Sequence, residues 1–260
     1  MSICREIINR IPALSLTYLS DNAAFPYGEK TASELEARVV EIVDCALDRL
    51  VSTPFDAIVI ACNSASTLAL PALRAHCDIP VVGVVPAIKT AATNSQTRTI
   101  GLLATPGTVS RDYTADLIEE HAGDCEVVSV GSSELVQIVE SHLHGETLDS
   151  DSVEAILACF DEHSAAVKMD CVVLGCTHFP LIREMLEQLR PQWLWVDSGR
   201  AIASRLDDVC SAAIANAKAD STEKKTHRFY LSAPAANEVQ QAALAQAVAA
   251  FGFSELTVLD

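Results

Sequence analysis

The chain has 260 residues, half of them hydrophobic, and a formal net charge of −17. This length fits one large domain or two small ones, and the composition allows a substantial core. The acidic balance argues against a nucleic-acid or anionic-membrane partner, because both need a basic face. The sequence shows neither a signal peptide nor an apolar run near the roughly 18 residues of a membrane span, so we expect a cytoplasmic protein.

Strand-like apolar runs alternate with helix-like stretches in the first part of the chain. The run 14–20 precedes a polar loop, and 31–50 has the apolar spacing of a helix that Thr31 or Ser33 could cap. The continuous apolar run 57–62 leads directly into another helix, and 79–85 is the next predicted strand. The alternation favours parallel sheets covered by helices.

A second series with the same alternation begins at 98–105. It continues with a turn and helix in 106–123, a strand at 125–130, helices at 132–143 and 151–166, a strand at 171–176, a helix near 180–190 and a strand at 194–197. A charged surface loop is predicted at 217–227, and a strand–helix–strand pattern ends the chain. The whole pattern predicts an α/β fold.

One local pattern occurs twice. Asp56 precedes Cys62 by six residues, and Asp170 precedes Cys176 by six, each cysteine ending an apolar run. The repeat predicts two similar α/β domains, with residues 1–86 and 198–260 forming a discontinuous first domain and 87–197 the second. Both aspartates come before their strands, so we interpret them as turn or capping residues.

The nine cysteines do not indicate a disulfide scaffold. Their number is odd, the chain is not small, and there is no C-x-x-C pair, which also argues against a structural zinc site. We expect most of them to be small buried apolar residues. His142 and His144 form an H-x-H sequence that we interpret as part of a polar loop, so no metal site is predicted.

Cys62 and Cys176 both end predicted strands, at the edge of a parallel sheet where ligands collect. Each precedes a predicted helix, a setting that favours the thiolate. The side chains that follow can hydrogen-bond an anionic ligand: Asn63, Ser64, Ser66, Thr177 and His178. A single strand-end cysteine is most simply a buried apolar residue. Two with matched flanks suggest an acid and a base acting on opposite sides of a carbon, which is racemisation or epimerisation, although a thiol nucleophile stays open.

Five segments resemble the glutamate racemases of the cofactor-independent aspartate/glutamate racemase superfamily. They occur in family order and span nearly the whole chain: FPYGEK (25–30), ACNSAS (61–66), IPVVGVVPAIKTA (79–91), IGLLATPGTV (100–109) and VVLGCTHFPL (172–181). The resemblance implies two α/β domains with the active site in the cleft between them. It also implies interconversion of L- and D-glutamate without pyridoxal phosphate or metal, supply of D-glutamate for peptidoglycan, and a possible homodimer.

The resemblance also implies a role for each matching residue. Cys62 and Cys176 would be the two acid/base residues, one for each enantiomer, and His178 would assist Cys176. The implied substrate contacts are Tyr27, Gly28, Asn63, Ser64, Thr108, Thr177 and His178, with Glu140 and Ser66 as possible supporting residues. Ser64 stands where threonine is usual in the family, which keeps the hydroxyl and loses a methyl group.

Three of these residues also have simple structural explanations. Tyr27 could be an ordinary turn aromatic, Thr108 a helix cap, and Glu140 a solvated helix residue. Two other functions also stay open. One is a racemase for aspartate or another small acid, and the other is a catalytically weak module that binds a small dicarboxylate or a protein.

The start of the chain departs from the family pattern. Family members open with a strand ending in Asp-Ser-Gly, whereas MSICREIINRIPA matches only the helix that follows it. We therefore expect unpaired strand edges in the first domain and a site without a carboxylate beside Cys62. A chain that starts at Met1 is predicted to show weak or no turnover.

Overall fold

The computed structural model describes residues 1–50, 55–219 and 226–259, in which helices and parallel strands alternate. The helices are α1 (Ser2–Arg10), α2 (Ala32–Arg49), α3 (Asn63–His76), α4 (Ile88–Asn94), α5 (Pro106–Val109), α6 (Asp112–Ala122), α7 (Glu134–Leu143), α8 (Ser150–Ala158), α9 (Arg183–Leu189), α10 (Gly199–Val209), α11 (Ser211–Ala219) and α12 (Glu238–Ala250). Among the described helices, none is long and apolar enough to cross a membrane.

The strands are β1 (Leu16–Ser20), β2 (Ile58–Ile60), β3 (Val81–Gly83), β4 (Thr99–Ala104), β5 (Glu126–Gly131), β6 (Cys171–Leu174), β7 (Leu194–Val196), β8 (His227–Leu231) and β9 (Glu255–Val258). Every recorded strand pair is parallel. This confirms the predicted α/β class, since parallel neighbours need helical crossovers between them.

The second series of elements forms one continuous sheet in the order β5-β4-β6-β7. Every residue of β4 and β6 is buried, because helices cover both faces of the sheet. Alternate residues point to opposite faces: Leu102 and Val173 pack with α4 and α6, whereas Leu103 and Val172 pack with α7, α8 and α9. This two-sided burial explains why both strands are continuous apolar runs in the sequence.

The strands of the first series form two separate sheets, β1-β8-β9 and β2-β3. Among the described residues, β1 pairs only with β8 and β2 only with β3, so each has one free edge. All residues of both strands are half-buried, and both strands line one cavity of about 890 Å³. The unpaired edges agree with the expectation from the sequence.

The chain after residue 198 returns to the first series of elements. Ile202 and Leu206 of α10 share a hydrophobic cluster with Ile3 and Ile7 of α1, and β8 pairs with β1 along its full length. These contacts support the division that we propose, with 1–86 and 198–260 in one domain and 87–197 in the other. Most of the predicted charged loop at 217–227 falls on 220–225, outside the described residues.

Local capping follows the sequence prediction in two places. The Thr31 hydroxyl accepts from the backbone amide of Glu34, whose carboxylate accepts from the Thr31 amide, forming a capping box at the start of α2. Asp170 accepts hydrogen bonds from the Ser95 hydroxyl and from the backbone amides of Gln96 and Thr97. Asp170 therefore holds the turn that follows α4, which agrees with the turn role among the two that its position before a strand suggested.

Two local predictions were wrong. The helix predicted over 151–166 ends at Ala158, and the chain continues as short 3-10 turns that bury Phe160 against Trp193, with ring centroids 5.5 Å apart. His142 lies in the last turn of α7 and His144 directly follows that helix, so the pair belongs to a helix end rather than to a loop.

Candidate active site

The two strand-end cysteines line the same cavity. Cys62 follows β2 and is the residue that precedes the first turn of α3, and Cys176 follows β6. The hydroxyl of Thr177 donates to the carbonyl of Ala61 at 3.0 Å. The carboxyl ends of two strands from different sheets therefore meet, as expected for a ligand site in parallel α/β structures.

Burial, rather than the helix terminus, decides the protonation of Cys62. Burial raises the pKa of its thiol to about 11, although backbone hydrogen bonds from Ala65 and Ser64 pull the pKa down. The charge that Cys176 would carry raises the pKa further. The predicted preference for a thiolate is therefore wrong for Cys62, which keeps its proton at neutral pH.

Cys176, His178 and Glu140 form a hydrogen-bonded chain. The Cys176 Sγ lies 3.7 Å from His178 Nδ1, and His178 Nε2 lies 3.0 Å from Glu140 Oε2. Burial lowers the pKa of His178, but the hydrogen bonds to Cys176 and Glu140 outweigh it and raise the pKa to about 9. Burial also raises the pKa of Glu140, and the His178 contact reverses this to a net lowering.

His178 is therefore an imidazolium paired with the Glu140 carboxylate at neutral pH. The side chains of His178 and Glu140 are 28% and 25% exposed. The solvated-helix explanation of Glu140 is thus wrong, because its carboxylate faces His178 and lines the cavity. A cation beside Cys176 Sγ stabilises negative charge on that sulfur.

Three buried hydroxyl groups join the two halves of the chain. The Ser64 hydroxyl lies 3.2 Å from that of Thr108 and 3.5 Å from that of Thr105, and the two threonine hydroxyls are 3.0 Å apart. Thr105 caps α5 by accepting from the Thr108 amide, so the capping explanation of Thr108 is wrong. Ser64 and Thr105 line the cavity; Thr108 lies behind them and holds the Ser64 hydroxyl.

Sequence reasoning missed Thr105, although its position carries a signal. A threonine directly before Pro-Gly fits the residue that caps a helix whose first position is proline. Reading the segment in this way would have placed the hydroxyl of Thr105 at the end of β4. That end lies beside the end of β6 in the sheet.

Asn63 carries an unused hydrogen-bond acceptor. Its side chain lines the cavity and is 3% exposed, and its Oδ1 has no partner among the described residues. Ser66 has a different role, because its hydroxyl donates to the carbonyl of Ile60 and accepts from the amide of Val84. Asn63 is therefore available to a ligand, whereas Ser66 ties α3 to β2 and to the residue after β3.

Tyr27 and Gly28 reach the cavity from the loop between β1 and α2. The Tyr27 hydroxyl donates to Asp21 Oδ2 at 2.6 Å. A Cβ on Gly28 would lie 3.2 Å from Thr105 Cγ2, so the turn packs closely on the second half of the chain. The Asp21 partner of Tyr27 was not predicted from the sequence, since it is six residues away in an irregular loop.

The remaining cysteines and acidic residues do not form a metal centre in the described ranges. No cluster of three or more histidine, cysteine, aspartate or glutamate side chains there has the geometry to hold a metal ion. All nine cysteines are free thiols, of which Cys4, Cys171, Cys176 and Cys210 are buried and Cys159 is exposed. The expectation that most are fully buried is therefore only partly correct.

Comparison with known proteins gives one consistent family. The family model described as Asp/Glu/Hydantoin racemase matches residues 2–206. A glutamate racemase of Pasteurella multocida (strain Pm70) is 49% identical over 211 residues, which is 81% of this chain and 76% of that protein. A glutamate racemase of Escherichia coli (strain UTI89) is 48% identical over 206 residues, 79% of this chain and 70% of that protein.

Solved structures agree with this comparison. The crystal structure of Escherichia coli glutamate racemase with L-glutamate and the activator UDP-MurNAc-ala superposes with a TM-score of 0.85, at 40% identity, covering 99% of this chain and 93% of that one. Glutamate racemase isoform RacE1 of Bacillus anthracis gives a TM-score of 0.79 at 25% identity, covering 100% and 92%. From its fold, its paired strand-end cysteines and these relatives, the chain belongs to the Asp/Glu racemase family and resembles the glutamate racemases within it.

Proposed function

We propose that the chain interconverts L- and D-glutamate by proton transfer through two cysteines, Cys62 and Cys176. The observation that carries this proposal is the placement of both sulfurs in one cavity, at the ends of strands from different sheets. Two walls of a cavity can present an acid and a base to the two faces of one carbon. Relatives named glutamate racemases, one of them crystallised with L-glutamate, support glutamate as the substrate.

The unequal environments of the two sulfurs assign their first roles. Cys62 holds its proton because its pKa is about 11, whereas Cys176 faces the His178 imidazolium at 3.7 Å. In one direction the Cys176 thiolate removes the proton from Cα, and the Cys62 thiol donates a proton to the opposite face. After these transfers Cys176 is a thiol and Cys62 is a thiolate, which are the protonation states from which the reverse reaction starts.

Polar groups around the cysteines fit the amino-acid end of glutamate. The free Oδ1 of Asn63 can accept from an ammonium group. The Ser64 hydroxyl can donate to a carboxylate, whereas the Thr177 hydroxyl, which donates to the Ala61 carbonyl, can accept from the ammonium group. We assign Tyr27 and Gly28 to the cavity wall, and Thr108 and Glu140 to the support of Ser64 and His178.

The wider setting that we propose follows from the same activity. D-Glutamate would supply peptidoglycan synthesis in the cytoplasm, and nine free cysteines are what a reducing compartment maintains. A homodimer stays a prediction from the resemblance. Sedimentation velocity of the purified chain measures its oligomeric state directly.

The first experiment follows the Cα proton. The chain is incubated with L-glutamate and, separately, with D-glutamate in D2O. Proton NMR follows loss of the Cα signal, and chiral chromatography follows inversion. Exchange with inversion from both enantiomers, at any measurable rate, supports the proposal; binding without exchange would instead support a module that holds a small dicarboxylate. Faster exchange of aspartate than of glutamate would assign the chain to another acid.

Cysteine variants test the two-base assignment. Cys62→Ala and Cys176→Ala should each abolish inversion, with a loss of at least about 10³-fold, because each removes an acid/base group that no neighbour replaces. Cys45→Ala is the matched control, since Cys45 is a half-buried cysteine on α2 outside the cavity lining. Full activity in either cavity variant would refute the assignment, and a covalent adduct trapped with substrate would point to a thiol nucleophile.

A further inference from the structure

A buried ion pair anchors one end of the loop that carries Tyr27 and Gly28. Arg38 of α2 donates from Nε to Asp21 Oδ2 at 2.7 Å and from Nη2 to Asp21 Oδ1 at 2.5 Å. The Tyr27 hydroxyl donates to the same Oδ2 at 2.6 Å. A carboxylate that accepts two hydrogen bonds from one guanidinium group and a third from a phenol hydroxyl is fixed in both position and orientation.

The burial of this ion pair sets it apart from surface pairs. The Asp21 side chain is 6% exposed and that of Arg38 is 25% exposed. Burial raises the pKa of Asp21, but the hydrogen bonds from Arg38 and Tyr27 outweigh it and leave the pKa below its ordinary value. Burial and the bond to Asp21 raise the pKa of Tyr27, so its phenol remains a donor at neutral pH.

The residues after Asp21 contact both halves of the chain. We call 21–30 the bridging segment. Phe25 packs on the core of the second half, with its ring centroid 6.1 Å from that of His178. Tyr27 packs on the core formed by α2 and α3. A Cβ on Gly107 of α5 would lie 2.9 Å from the Gly28 carbonyl oxygen, so this turn rests on backbone of the second half.

We propose that Asp21, held by Arg38, is a positioning residue that orders the bridging segment across the cavity and so sets the affinity for the substrate. Asp21 lines the cavity, but its described hydrogen bonds go to Arg38 and Tyr27 and not to a cysteine or to His178. It acts through Tyr27, whose position fixes the adjoining Gly28 turn and Phe25. The inference rests on the proposed function for its kinetic consequence. The ordering itself is measurable without turnover.

Amide hydrogen exchange tests the ordering directly. In Asp21→Asn the two charge-assisted hydrogen bonds from the Arg38 guanidinium are no longer both made. The backbone amides of Phe25 and of 27–30 should then exchange about tenfold faster than in the unmodified chain. Arg38→Lys keeps the positive charge but cannot make both guanidinium hydrogen bonds, so the same amides should exchange at an intermediate rate. Glu41→Gln is the matched control, because Glu41 also pairs with Arg38, at 2.9 Å, yet its side chain is 69% exposed and makes no recorded contact with the bridging segment.

Kinetics separate positioning from a loss of folded protein. Asp21→Asn should raise KM for both glutamate enantiomers about tenfold and change kcat by less than about threefold, since Tyr27 and Gly28 contact bound substrate in the proposed site. If the substitution only destabilised the fold, less of the protein would be folded, so the apparent kcat would fall and KM would stay unchanged. In the double variant with Tyr27→Phe, the two effects should be less than additive, because Asp21→Asn weakens and Tyr27→Phe removes the same hydrogen bond.

The outcomes distinguish this inference from the proposed function. Unchanged exchange of 25–30 in Asp21→Asn, or faster exchange with an unchanged KM, would overturn the positioning role. If the unmodified chain does not exchange the Cα proton, the proposed function fails, and calorimetric titration with L-glutamate takes the place of KM. An about tenfold weaker affinity in Asp21→Asn then supports positioning; equal affinity, or no binding by the unmodified chain, overturns it.

Discussion

At the scale of single residues, groups that are far apart in the chain set the charges of the candidate site. Cys62 and Cys176 line one cavity, although they belong to different halves of the chain. The raised pKa of Cys62 could not be predicted, because the burial that causes it comes from elements far apart in the chain. The Asp21–Arg38 pair was missed for the same reason, since 17 positions separate its partners.

The pairing of His178 with Glu140 gives a prediction about protonation. In Glu140→Gln the carboxylate that supports the imidazolium is lost, so the pKa of His178 should fall from about 9 towards its ordinary value. NMR titration of the His178 ring signals measures this directly. Glu134→Gln is the control, because Glu134 is exposed in the first turn of the same helix; an equal shift in both variants would contradict a specific contact.

The same raised pKa fixes how stability depends on pH. A histidine whose pKa is higher in the folded than in the unfolded chain stabilises the fold fully below about 6.5, the unfolded value. That contribution is lost as the pH rises through about 9, the folded value. The difference in unfolding free energy between the unmodified chain and Glu140→Gln should therefore shrink between these two pH values, as urea titrations at pH 6 and pH 9.5 would show.

At the scale of elements, alternation and capping signals predicted most boundaries well. The helix over 31–50 is found as predicted, and of the two candidate caps, Thr31 and Ser33, the structure has Thr31, because apolar periodicity and a capping box act locally. The helix over 151–166 was predicted too long, since the burial of Phe160 against Trp193 depends on a partner more than 30 positions away. Ser66 was assigned a supporting role in the site, whereas its hydroxyl joins a helix to strand backbone.

Ser66→Ala tests that assignment. Removing the hydroxyl leaves the Val84 amide and the Ile60 carbonyl without this partner, at a cost of about 1–3 kcal/mol in unfolding free energy. Activity per folded molecule should stay unchanged, because Ser66 does not line the cavity. Thr93→Ala is the control, since the exposed Thr93 hydroxyl bonds only the Lys89 carbonyl in its own helix; a loss of activity without a loss of stability would return Ser66 to the site.

At the scale of the whole molecule, two α/β halves meet at the cavity, and within the described ranges the strands of the second half form one sheet whereas those of the first form two. Local sequence patterns do not reveal this difference, because β2 and β6 are similar apolar runs that both lead to a cysteine. The difference lies in strand pairing: among the residues that the structure describes, β4 and β6 each have two neighbouring strands, whereas β1 and β2 each have one. The expectation of unpaired edges came from comparing the chain start with a family pattern, not from periodicity.

Strand pairing predicts unequal protection from amide hydrogen exchange. The amides of Ile58–Ile60 in β2 should exchange at least about tenfold faster than those of Cys171–Leu174 in β6, because β2 is half-buried and bonded on one side only. β4, which is paired on both sides, is the internal reference. Equal protection of β2 and β6 would mean that the two sheets of the first half join in solution.

The free edges of β1 and β2 also affect how strongly the protein associates with itself in solution. Each presents unpaired backbone donors and acceptors beside apolar side chains such as Leu16 and Val59, both only partly buried. Such edges accept strands from neighbouring molecules unless charge, proline or a covering element blocks them. The net charge of −17 opposes molecular contact at low ionic strength, and salt that screens this repulsion should favour self-association through strand addition.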